Sequence, residues 1–203
     1  MEIVEYDPAW PEQAAAAIAE LRGALPGLLA GVEHIGSTAV PGLAAKPVID
    51  LMAATDDLAA VELREEALTG LRYRRHFNGM TDRLLYVREA EAEAEGAGGV
   101  GGARGVGGAR GVGGARSVGR GRRTHILHVV TTDSWPTRNQ RILRDHLRTH
   151  PQDAARYAEL KKALAAAGTA PGDYTRAKTE LIQELTDRAR ARLGLPSVPV
   201  WEK

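Results

Sequence analysis

A chain of 203 residues suits one domain with room for a real core. Hydrophobic residues make up 43%, charged residues 26% and aromatics only 4%, so the core has to be built from Ala, Leu, Val and Ile. A formal net charge of +1 argues against bulk electrostatic capture of nucleic acid or membrane, and the absence of cysteine excludes disulfides, thiolate metal sites and Cys nucleophiles.

Residues 3–6 form an apolar lead-in that Asp7-Pro8 ends. Pro11 opens a helix whose inward stripe is expected to be Ala15, Ile18, Leu21 and Leu25, and Pro26-Gly27 breaks it. Residues 32–35 read as a short strand entering a tight turn, Gly36-Ser37-Thr38, and residues 40–46 as a loop. Residues 47–53, PVIDLMA, are nearly continuous apolar and read as a buried strand carrying one charge, Asp50. Asp57 is placed to cap a helix running to about Leu71, with Leu58, Val61, Leu68 and Leu71 inward. Strands are predicted at 73–77 and 84–87.

The composition then changes. Residues 89–95 alternate Glu and Ala, and a VGGARG repeat begins at Val100, Val106 and Val112. So glycine-rich a segment buries too little surface to offset its ordering entropy, so about 91–122 is predicted to be a disordered insertion. Residues 124–130, THILHVV, read as a strand, and helices are predicted at about 137–149, 153–167 and 174–193. Tyr174, Ala177, Leu181, Leu185 and Ala189 give the last helix its stripe. The expected fold class is α+β: a small mixed sheet with N-terminal helices and a helical C-terminal half. The insertion stands where a hairpin connection between two strands would otherwise be. No apolar run approaches the ~20 residues of a membrane span, and MEIVEYDPAWPEQ lacks a signal-peptide layout, so a cytoplasmic location is expected.

The chemistry concentrates in one stretch. A Gly-Ser-Thr turn after a strand exposes backbone N–H groups and a hydroxyl, which suits a phosphate oxygen. Asp50 follows Ser37 by thirteen residues, inside an apolar strand. A carboxylate there is costly unless it is paired, protonated or bound to a metal. At the strand's open end it suits Mg²⁺; the alternative is a turn cap or an Arg partner. Lys46 could reach a phosphate or simply be solvated. His125 and His128, three apart in a strand, face opposite sides, so one at most faces the site. Tyr174 and Lys178 are one helical turn apart and share a face. Arg83 and Arg88 bracket a strand and meet either phosphate or surface carboxylates. The arginines at 104, 110, 116, 120, 122 and 123 keep the insertion soluble or form a flexible RNA-binding tract.

HIGSTAVPGLAAKPVIDL resembles the signature of GrpB-like proteins, a branch of the nucleotidyltransferase superfamily. RTHILHVV, RDHLRTHP, YAELKKALA and YTRAKTELI also resemble that family, in order, so the resemblance covers nearly all of the chain outside roughly 89–122. It implies that Gly36, Ser37, Thr38 and Lys46 bind a nucleoside triphosphate, that Asp50 holds Mg²⁺, and that His128 and Lys178 join Asp50 in a catalytic site. A nucleotidyl group would pass to a small acceptor. Neither nucleic acid nor a membrane is an expected partner. One departure matters: Met52 stands where the superfamily has its second carboxylate, and histidines stand where it has its third. The rival expectation is therefore a non-catalytic accessory domain, as in the extension carried by some dephospho-coenzyme A kinases.

Overall fold

A computed structural model describes residues 2–77, 79–90 and 122–200. The repeat expected to be a disordered insertion lies outside the described residues, apart from Arg122.

The first helix, α1 (Trp10–Ala24), carries Pro11 in its first turn. Its buried stripe is Trp10, Ala14, Ala17 and Leu21, whereas Ala15, expected inward, is exposed. Trp10 sets this register. A run of alanines has no preferred face, and the one large apolar side chain at the start gains most from burial.

Five strands follow: β1 (Gly31–Ile35), β2 (Ile49–Thr55), β3 (Tyr73–Arg75), β4 (Arg83–Glu89) and β5 (Arg123–Thr131). They form one sheet in the order β1-β2-β5-β4-β3, with β2 and β5 parallel and every other pair antiparallel. This is the mixed sheet expected of the α+β class. β4 and β5 are antiparallel neighbours, and the Ala90 N–H donates to the Arg122 carbonyl across their ends at 2.8 Å. Residues 91–121, which lie between them in sequence, therefore connect two paired strands.

The helix expected over 57–71 is two short ones, α2 (Leu58–Glu62) and α3 (Glu65–Gly70). Asp57 does cap the first, its carboxylate accepting from the Ala59 and Ala60 N–H groups at 2.8 and 3.1 Å. With α1 they cover one face of the sheet, where Leu21, Val61 and Leu68 pack on Leu51, Ala53, Leu127 and Val129.

Alternation along β2 sends Asp50 and Met52 to the opposite face. That face is covered by α4 (Asn139–Thr149), α5 (Pro151–Ala166), α6 (Pro171–Ala177) and α7 (Thr179–Arg192). The single helix expected over 174–193 is thus divided at Lys178. The inward residues are Tyr174, Ile182, Leu185 and Ala189, whereas Ala177 is exposed. Glu33 of β1 anchors the helical layer by accepting from Arg141 at 2.8 and 3.0 Å and from Arg144 at 2.7 Å. Burial alone would raise the Glu33 pKa, but those guanidinium hydrogen bonds hold it below its ordinary value. Among the described residues no helix is long and apolar enough to cross a membrane.

Candidate functional site

The site begins where β1 ends. Ile35 pairs with Asp50, and the chain then turns at Gly36, with φ +73° and ψ −171°. A Cβ at Gly36 would stand 2.4 Å from Asp50 Oδ2, so the missing side chain lets the turn lie directly on the carboxylate. A 3₁₀ turn, Ser37–Ala39, follows. Thr38 Oγ1 donates to the Val48 carbonyl at 3.1 Å and lies 2.9 Å from His34 Nε2, tying the turn to the start of β2. From the helical layer, Lys161 Nζ donates to Ser37 Oγ at 3.1 Å and to the Ala44 carbonyl at 2.5 Å. Two layers distant in sequence are thereby joined at one turn.

Between this turn and the helices lies a cavity of about 300 Å³. Its polar end is made by Gly36, Ser37, Lys46, Asp50, Lys161 and Lys178. Its other walls mix apolar side chains, among them Val48, Ile126, Leu143, Leu147, Tyr157 and Ile182, with the polar Arg123, Asn139, Gln140 and Arg144. Asp50 is the only acid among the lining residues, against three lysines. Lys161 Nζ sits 4.4 Å from the Tyr157 ring centroid and Lys178 Nζ 4.2 Å from that of Tyr174. The aromatic faces offset part of the cost of holding these ammonium groups away from water.

Charge in this cavity is poorly compensated. Burial pushes the Asp50 carboxyl up to about 7, against the pull of Lys178 and Lys46. Burial brings Lys161 down to about 7, with the Lys178 charge adding to the effect. Lys178 falls to about 8, again through burial, with Asp50 opposing and Lys46 reinforcing the shift. Both shifts come mainly from burial, which disfavours the charged ammonium.

Gly36, Ser37, Thr38, Lys46, Asp50 and Lys178, all singled out in the sequence, meet at this cavity. The Thr38 hydroxyl is committed to Val48. Lys178 reaches Tyr174 across the α6–α7 junction rather than along one helix. His128 is not brought to the cavity. It pairs in register with Met52, one step further along the Asp50 face, and its surroundings include Arg83, Arg138 and Asp82. Burial and those arginines hold it down to about 4, so the ring is neutral, and its Nδ1 is buried without a partner. His125 faces the other way, edge-on to Tyr73 with centroids 6.3 Å apart. Arg83 pairs with Asp82 and Arg88 with Glu20, so neither lines the cavity. Met52 is fully buried beside Ile35, Val130 and Trp135, so the second-carboxylate position is sealed from the cavity.

Among the cavity residues that the sequence did not single out are Tyr157, Lys161 and Arg123. Tyr157 and Lys161 form the buried face of α5 together with Asp153, at spacings of four. A lysine at the inward position of an amphipathic helix was the available signal. Arg123, counted with the repeat, is instead the first residue of β5 and lines the cavity.

A five-stranded mixed sheet with helices on both faces, and a lysine-rich cavity between one face and its helical layer, defines a protein of the α+β class. The family profile described as "GrpB protein" matches residues 1–188, and the chain belongs to that family. It is similar to a UPF0157 protein of Pseudomonas aeruginosa, 35% identical over 202 residues, covering 98% of this chain and 71% of that one. The crystal structure of conserved protein GrpB from Enterococcus faecalis aligns with a TM-score of 0.74 at 26% identity, covering 95% of this chain and 99% of that one. A shorter match, 40% identical over 76 residues, is to a dephospho-CoA kinase of Mycolicibacterium paratuberculosis, covering 36% of this chain and 19% of that enzyme.

Proposed function

We propose that the cavity binds a nucleoside triphosphate, with its phosphates against the Gly36–Ser37 turn and its apolar parts against Leu143, Leu147 and Ile182. The convergence of Lys46, Lys161 and Lys178 on a cavity with a single carboxylate carries this reading. The Gly-Ser turn followed by Asp50 on a strand, which resembles the nucleotidyltransferase pattern, favours a nucleotide over other anions.

Nucleotidyl transfer to a small acceptor is a further step. It ordinarily needs carboxylates that hold metal ions on the attacking and leaving oxygens. Here one carboxylate stands among three lysines, and no group of three or more His, Asp or Glu among the described residues makes a metal site. This donor set does not fit a resident Mg²⁺. Binding without transfer is also what an accessory domain would do, and the match to part of a dephospho-CoA kinase favours that second reading.

Ser37→Asp puts a carboxylate where the phosphates would lie and, in this reading, abolishes the thermal shift given by nucleoside triphosphates in EDTA. An unchanged shift, with the variant folded, would move the site elsewhere.

The pH dependence has a definite sign. Going from about pH 7 to about pH 9, Lys161 and Lys178 lose protons while Asp50 completes its ionisation, so all three changes repel an anion. Nucleotide affinity should fall about tenfold or more over that range in a calorimetric titration. A flat profile would exclude these lysines from the phosphate contacts.

A further inference from the structure

The sheet face that carries Asp50 does not end at the cavity. Asp50 pairs with Ile126, Ile126 with Val87 and Val87 with Arg74, so these four residues form one row across β2, β5, β4 and β3. Residues paired across strands share a face. Beyond the cavity this face opens into a groove of about 460 Å³, lined by Arg74, His76, Val87, Glu89 and Arg123 among others. No residue of the helical layer lines it. Arg123 lines both the groove and the cavity, so the two meet at its side chain.

The groove is asymmetric in charge. Arg75 is committed to Glu62 and Glu65. Arg74, His76 and Arg123 have no carboxylate partner among the described residues, and Glu89 is the only acid in the lining. Near the end of β3 stands Phe77, the chain's one phenylalanine, 85% exposed, with the Arg75 guanidinium 5.3 Å from its ring centroid. The near-zero charge of the whole chain conceals this local excess.

We propose that this groove is a second binding subsite, which takes the phosphodiester backbone of a short single-stranded oligonucleotide whose end enters the cavity past Arg123. From Asp50 to Arg74 the row crosses three strand spacings, roughly 14 Å at ~4.8 Å each. One phosphate group does not span that distance, so an anion meeting both ends has to be extended. Cations without a carboxylate partner among the described residues, set along such a path, suit a backbone of repeating phosphates. The exposed Phe77 ring, outside the groove lining but next in sequence to its His76, suits an unpaired base that leaves the groove. A duplex keeps its bases stacked on each other and would leave Phe77 unused. The proposal rests on the reading that the cavity accepts phosphates.

The test uses the full chain and fluorescence anisotropy with a labelled single-stranded RNA of about ten nucleotides, its DNA counterpart, the matching duplex and polyglutamate. Arg74→Glu and Phe77→Ala change exposed side chains, and nucleoside triphosphate binding is followed in parallel by thermal shift. The expected result is that a single strand binds the wild type, about tenfold more weakly in Arg74→Glu and several-fold more weakly in Phe77→Ala, with triphosphate binding unchanged in both. Failure of the wild type to bind a single strand overturns the proposal. So does equal binding by both variants, which assigns the affinity to cations elsewhere in the chain, or equally tight binding of duplex or polyglutamate. Loss of single-strand binding in the variants, with no triphosphate shift in the wild type, refutes the cavity reading and leaves the groove standing.

Discussion

Gly36→Ala should lose roughly 2–5 kcal/mol of unfolding free energy in a denaturant titration, and its nucleotide binding with it. Two costs combine. At φ +73° and ψ −171° the backbone occupies a region essentially closed to residues with a Cβ. The new methyl would also stand 2.4 Å from Asp50 Oδ2 and 2.9 Å from its Cβ, and Asp50 lies on a central strand that has little room to retreat. Gly42 separates the two costs. It too has a positive φ, +75°, but a Cβ there meets nothing within 4 Å. Gly42→Ala should therefore cost only the backbone term, about 1 kcal/mol. Combining Gly36→Ala with Asp50→Ala should recover part of the loss, because the clash partner is then shortened. If Gly36→Ala were no worse than Gly42→Ala, the close packing of turn on carboxylate would not be what holds the site together.

That contact also shows what a linear sequence discloses. Gly36, Ser37 and Asp50 were legible because an antiparallel pair brings them together over a short loop, and because a glycine before a hydroxyl and a lone acid in an apolar strand are local oddities. The five strands were legible for a similar reason, since apolar runs with turn signals at their ends report burial directly. Lys161 was not, because it enters from α5, more than a hundred residues from the turn that it clamps. Nothing near position 161 announces Ser37. The stripes expected for the first and last helices each failed at one alanine, Ala15 and Ala177, where alanines make several faces equivalent and a larger side chain elsewhere decides the matter: Trp10 in α1, Ile182 in α7. His128 was singled out because the resemblance sets histidines where a third carboxylate would stand, and the structure does put it on the Asp50 face. Which part of that face stays open depends on the covering helices, and they leave His128 away from the cavity.

Asp50→Asn gives opposite results in the two accounts of the cavity. Where the cavity binds the phosphates of a nucleotide without a resident metal, Asp50 is the one group that repels them. Removing its charge should tighten nucleotide binding in EDTA about five- to thirty-fold at about pH 8.5, which is about 1–2 kcal/mol for a unit charge several ångströms away at an effective dielectric constant near 20. At about pH 6 the wild-type carboxyl is mostly protonated already, because its pKa lies near 7, and the gain should shrink towards none. Stability carries the same signature. A carboxyl pushed up by burial to about 7, well above the ordinary aspartate value, keeps its proton longer in the folded state. It therefore costs stability progressively as pH rises from about 4 through about 7. The unfolding free energy of Asp50→Asn relative to wild type should accordingly climb across that window and level off above it. Where Asp50 instead works by holding Mg²⁺ against the phosphates, the wild type binds nucleotide more tightly with Mg²⁺ than in EDTA, and the substitution abolishes that advantage. Titrations of both proteins, with and without Mg²⁺, decide between the accounts by sign alone. Weaker binding of the Asn variant in EDTA would sink the metal-free reading of the cavity.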